Sequence, residues 1–159
     1  MRRKDREITE LPEIAAILER AKILHLGLND EGCPYVVPLH YGYGMEEGRL
    51  TLFCHGAKEG HKLDLIRRDS RVFAEIDTDV RLIPAGDRAC SYGSAYASLM
   101  CRGEAVILTD PAEKTEALRI LMKTQTGRDF AITERLAETV SVIRIDVHEY
   151  SAKARRMPD

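Results

Sequence analysis

The stretch Phe53-Cys54-His55-Gly56-Ala57-Lys58-Glu59-Gly60-His61-Lys62-Leu63-Asp64-Leu65-Ile66 concentrates the side chains of this sequence that could do chemistry. The apolar spacing predicts a short helix from Gly60 to Arg68. Lys58, His61 and Lys62 then crowd its positive dipole end, where each cation is unfavourable by about 0.3–1 kcal/mol. A bound phosphate would offset that repulsion, because the free N–H groups of the first turn, the dipole and the two lysines all favour an anion. Gly56 and Gly60 would let the backbone approach such a ligand closely. The alternative is a solvated surface turn in which Glu59 and Asp64 neutralise the lysines.

Other constellations are weaker. Gly42-Tyr43-Gly44 is a fragment of a dinucleotide fingerprint and lies between strand-like stretches, which argues against a nucleotide site of that type. Cys54, His55 and His61 lack the spacing of a structural zinc site, so no metal is expected. A nucleophile pair of Cys54 with His40 or His55 is conceivable. Cys54 shares a face with Leu50 and Leu52, however, which marks it as a core thiol. His25 and His148 sit in strand-like stretches and read as structural histidines.

The elements that must position these residues follow from periodicity. A helix begins near Thr9 or Glu10 and carries Ile14, Ile17, Leu18 and Ala21 at helical spacing. Residues 23–28 and 34–41 form a hairpin about the Asn29-Asp30-Glu31-Gly32 turn. Pro38 has no N–H to donate, so a strand through it must lie at an edge or be bulged there. A turn at 45–48 leads to a strand over 49–55 that ends on His55, and a further strand spans 71–77. Residues 78–89 read as a connection, and 92–108 as the longest strand. Asp110-Pro111-Ala112-Glu113 joins an N-cap, a first-turn proline and an acidic third position, which opens a helix carrying Leu118, Leu121 and Met122. A helical piece near 133–138, a strand over 140–147 and a basic tail at Lys153-Ala154-Arg155-Arg156 complete the chain. Strands in hairpin-like succession predict a mainly β fold, a small antiparallel barrel with peripheral α-helices.

Composition sets the outer bounds. At 159 residues, the chain is expected to form one domain over 1–159. Hydrophobic residues at 44% and charged residues at 31% exclude a disordered or fibrous protein. A net charge of −2 supplies no field for nucleic acid. No apolar run reaches the length of a membrane span, and no apolar segment follows the charges of Met1-Arg2-Arg3-Lys4. Four scattered cysteines without metal or redox spacing read as reduced, mostly packing thiols, and the expected location is the cytoplasm.

The blocks Tyr35–Tyr43, Leu52–Lys62, Arg71-Val72-Phe73, Tyr96-Ala97-Ser98-Leu99, Gly103-Glu104-Ala105 and Asp110–Lys114 together resemble the flavin-binding split-barrel proteins of the pyridoxamine 5′-phosphate oxidase-like superfamily. The resemblance is to the branch around the nitroimidazole-resistance proteins. It implies an FMN-binding split barrel that forms a homodimer, with FMN in a groove at the subunit interface. Val36, Val37, Pro38 and Leu39 would lie along the isoalloxazine ring, and the segment containing His55, Lys58, His61 and Lys62 would surround the phosphate, with Cys54 among the flavin-binding residues. Ser98, in a Tyr-x-Ser pattern, would be a flavin or interface contact. Relatives often carry arginine where this chain has His61, which cannot form a bidentate fork on phosphate, so weaker flavin binding is expected. The C-terminal segment lacks the substrate-binding signature of a pyridoxamine phosphate oxidase. The implied activity is FMN-dependent reduction of a small molecule such as a nitroaromatic compound. His55 would be the catalytic residue, as proton donor or substrate-orienting group, or else would hold the phosphate loop. The alternative is a non-catalytic flavin- or haem-binding protein of the same fold.

Overall fold

A computed structural model describes residues 3–158; Met1, Arg2 and Asp159, which the readings of the N-terminal charges and the full span included, lie outside it. Two-residue β1 (Glu7–Ile8) precedes α1 (Leu11–Arg20), with Pro12 in the first turn. The strands β2 (Ile23–Asp30), β3 (Cys33–Glu46) and β4 (Arg49–Gly56) form a meander, followed by α2 (His61–Arg68). β5 (Arg71–Ile83), β6 (Gly93–Leu108), α3 (Pro111–Thr126), α4 (Glu134–Ala137) and β7 (Ser141–Arg155) complete the order. Each strand pairs antiparallel with its neighbours in the order β7-β4-β3-β2-β5-β6, and β6 pairs with β7 again, which closes six strands into a ring. β1 adds to the far half of β7. The expected barrel with peripheral helices is therefore present.

Alternation along the strands places one buried cluster on a common face. Leu24 and Leu26 of β2, Leu52 and Cys54 of β4, Ile76 of β5, Leu99 of β6 and Ile143 and Ile145 of β7 are fully buried in it. α1 adds Ile14, Ile17 and Leu18, and α2 adds Leu63, Leu65 and Ile66. The buried Tyr41 hydroxyl donates to the Leu18 carbonyl at 2.7 Å, which satisfies a polar group inside this core. α3 begins as its first four residues predict: the Asp110 carboxylate accepts from the Glu113 N–H at 2.9 Å. With α4 it covers a second cluster of Leu108, Ala117, Leu118, Ala137 and Val142.

Three expectations need correction. β5 does not stop at Asp77 but continues to Ile83 through a bulge between Thr78 and Arg81, so most of the expected connection is strand. The bulge interrupts the alternation that would have revealed it. The basic tail is also strand: Lys153 and Arg155 pair with Ser98 and Tyr96 of β6. Of the four cysteines, all free, only Cys54 and Cys101 pack inside; Cys33 and Cys90 are exposed. No helix among the described residues is long and apolar enough to cross a membrane.

Candidate functional site

The ring is split where β3 and β4 part. Their pairing ends at Tyr41 and Cys54, so residues 33–40 of β3 have a strand partner only in β2, and Pro38 lies at that local edge as its missing N–H requires. Beyond the split, β4 is held by β7 through His55–Val142 and Gly56–Ser141. Extending the β3–β4 register by one residue puts His40 opposite His55 across the gap. Val36 and Pro38, like His40, expose their side chains, while Val37 and Leu39 turn toward the core. Val36, Pro38 and His40 thus form one exposed row on β3, and His40 faces the half-buried His55 across the gap.

Lys62 folds back from α2 over the end of β4. A methyl group on Gly56 would lie 2.7 Å from its Nζ and 2.9 Å from its Cε, so glycine makes room for the lysine there. Gly60 caps α2 with φ of 143°, a conformation that favours glycine, and no side chain caps the first turn. Neither Lys58 nor Lys62 has an ion pair among the described residues, and Asp64 is held by Arg67 at 2.7 Å. Neither Glu59 nor Asp64 forms an ion pair with these lysines among the described residues. His61 is directed elsewhere: its Nε2 lies 2.7 Å from Asp30 and its ring packs edge-on against Tyr35 at 5.1 Å. Together with Arg68, which reaches Glu31 at 3.3 Å, it ties α2 to the β2–β3 turn.

Burial first, then the like charges of His40 and Lys62, lower the pKa of His55. The imidazole is therefore biased to its neutral form near pH 7, able to accept a proton or orient a substrate. The Cys54 side chain is fully buried and burial pushes its thiol pKa far up, which opposes thiolate chemistry. Only the Cys54 backbone borders the split.

Sequence reading missed the support behind His40. His40 Nδ1 lies 3.1 Å from Gln125 Oε1 and 3.2 Å from the Lys22 carbonyl, two acceptors, so Nδ1 carries the hydrogen. Gln125 Nε2 donates in turn to the carbonyls of Tyr41 at 2.7 Å and Lys22 at 3.1 Å. Gln125 reaches this position because α3 presses onto β3 at Gly42, where an added methyl would overlap the Leu121 backbone. A glycine within a strand, two residues after His40, was the available signal, and it concerns close packing rather than a nucleotide.

Ser98 is not part of this opening within one chain. It is buried on β6, opposite Asp77, three strands from Pro38, roughly 14 Å at the usual strand spacing. Beside it, ligand atoms of His25, Glu75 and Asp77 lie within 4.8 Å of one another, with His25 Nδ1 3.3 Å from Glu75 Oε2. His25 is thus a satisfied structural histidine.

No curated protein matches the chain. Among solved structures, it is similar to a candidate 5-nitroimidazole antibiotic resistance protein from Bacteroides thetaiotaomicron, at 30% identity and a TM-score of 0.78, covering 93% of this chain and 86% of that one. It shares its fold with a flavocytochrome from Azotobacter vinelandii, at 22% identity and a TM-score of 0.78 over 99% of this chain and 73% of that one. The FAD and heme binding protein from Mycobacterium smegmatis is similar at 16% identity and a TM-score of 0.78, over 97% and 76%. The family described as pyridoxamine 5′-phosphate oxidase matches residues 10–154, and with that match across the ring, the split and the helices around them, the chain belongs to the pyridoxamine 5′-phosphate oxidase family.

Proposed function

We propose that this chain is a cytoplasmic FMN-binding flavoprotein that reduces a small molecule such as a nitroaromatic compound. One observation carries the cofactor assignment: Lys62, seated over Gly56, and Lys58, two residues ahead of Gly60, have no ion pair among the described residues, and no side chain caps the first turn of α2. This donor set fits a phosphate, through backbone N–H groups, the helix dipole and charge-assisted contacts. When bound, FMN would supply the redox chemistry. Val36 and Pro38 would offer the ring an apolar edge, and neutral His55, opposite His40, would orient the substrate or hold a proton at its free ring nitrogen. The nitroaromatic assignment is supported by the Bacteroides relative at 30% identity. The flavin- and haem-binding proteins of the same fold keep a non-catalytic role as the second reading.

We further propose a homodimer. Val36 at 58%, Phe73 at 40% and Met100 at 37% exposure leave apolar side chains on β3, β5 and β6 that a second copy would cover. Flavin titration tests the site. Lys62→Ala removes one charge-assisted contact and leaves the backbone donors, so FMN affinity should fall by about 1.5–3 kcal/mol, or about 10- to 150-fold. Riboflavin, which has no phosphate, should lose far less. If Lys62→Ala and Lys62→Glu both bind FMN as wild type does, the phosphate assignment fails.

A further inference from the structure

We propose a second anion-binding pocket, between α1 and the far ends of β5, β6 and β7, that takes a phosphate monoester with a small apolar body. A cavity of about 570 Å³ opens there, within the range of small-ligand sites. Its apolar lining comes from Ile8, Ile17, Ala95 and Ala97. Arg20, Arg81, Arg155 and Arg156 surround it against two carboxylates, Glu13 and Asp79. Both carboxylates are engaged: Asp79 lies 2.9 Å from Arg20, and Glu13 3.2 Å from Arg156. Arg81 and Arg155 therefore remain without an ion pair among the described residues. Their two surplus charges match a phosphate monoester, which carries close to two negative charges at neutral pH, and their planar forks suit its oxygens.

Local structure holds both arginines at the cavity. The β5 bulge puts Asp79 at φ of 59° and brings Arg81 opposite Ala95, whose side chain lines the pocket. Arg155 lies against Gly93, where any added methyl would overlap its guanidinium. Electropositive surroundings extend to Tyr96, whose hydroxyl accepts from Arg6 at 3.4 Å and whose ring sits 5.6 Å from the Lys153 ammonium. The pocket is separate from the split: Arg155 lies thirteen residues along β7 from Val142, the partner of His55. It does not depend on the flavin assignment.

Calorimetric titration with phenyl phosphate tests the proposal. Wild-type protein should bind one equivalent per chain at this pocket, beyond any held at the Lys58–Lys62 turn, and more tightly than inorganic phosphate or benzyl alcohol. Arg81→Ala and Arg155→Ala should each weaken binding about tenfold or more. Gly93→Ala, which displaces the Arg155 guanidinium, should also weaken it, with all three variants retaining the wild-type melting temperature. Lys62→Ala should leave it unchanged. Absence of binding, binding indifferent to both arginines, equal affinity for inorganic phosphate, or loss of binding in Lys62→Ala would each overturn the proposal.

Discussion

Gly42→Ala should destabilise the fold and Gly44→Ala, two residues along the same strand, should not. An ideal Cβ at Gly42 would lie 2.5 Å from the Leu121 amide nitrogen and 2.8 Å from the Ile120 carbonyl carbon. Comfortable contacts between such atoms lie near 3.5–4.0 Å, so α3 must withdraw by about 1 Å. Overpacking of this kind costs about 1–3 kcal/mol. Withdrawal also stretches the bonds from Gln125 Nε2 to the Tyr41 carbonyl, at 2.7 Å, and from Lys22 Nζ to the Thr124 carbonyl, at 2.8 Å. Each is worth about 1 kcal/mol net, so the sum is about 3–5 kcal/mol. At Gly44 nothing lies within 4 Å of the added methyl, so alanine there should stay within about 0.5 kcal/mol of wild type. Urea unfolding reads the difference: at an m-value of about 2 kcal/mol/M, the Gly42→Ala midpoint should fall by about 1.5–2.5 M with m unchanged. Equal midpoints for the two variants would refute the close helix–strand approach and, with it, the positioning of His40 by Gln125.

Gly56→Ala conflicts only with the far end of Lys62, a flexible side chain, so stability should be kept while the ammonium is displaced from the end of β4. Since Lys62 lowers the His55 pKa, NMR titration should show that pKa rising in the variant, and an unchanged value would contradict the placement of Lys62. His55→Gln should flatten the acid side of the stability profile. Folded His55 resists a proton that the unfolded chain accepts below about pH 6.5, so its contribution is present above that value and is lost as the pH falls toward the lowered folded pKa. Urea midpoints at pH 7 and pH 5 should therefore differ less in the variant than in wild type, and an equal difference would remove His55 as a contributor.

What the sequence determined by itself was local. Asp110 to Glu113 open a helix because capping involves groups three residues apart, and Leu50, Leu52 and Cys54 face the core because strand alternation has a fixed period of two. Lys58 and Lys62 were legible as a cationic helix start for the same reason, since the conflict between their charges and the dipole lies within one turn. Tertiary structure decided whatever required a partner distant in the chain. Residues Lys153 to Arg155 carry no apolar alternation of their own, yet they are strand because β6 lies beside them, with partners 55 to 59 positions away in sequence. Glu59 and Asp64 stand next to the lysines in the chain, but Asp64 turns to Arg67, and His61 turns to Asp30 at the end of β2. His40 faces His55 only because the ladder between β3 and β4 stops one pair earlier, and it is held by a glutamine 85 positions away that α3 delivers over Gly42. Such contacts arise from the closure of the ring and the approach of a helix to a strand without a side chain, neither of which leaves a periodic signal in the residues that take part.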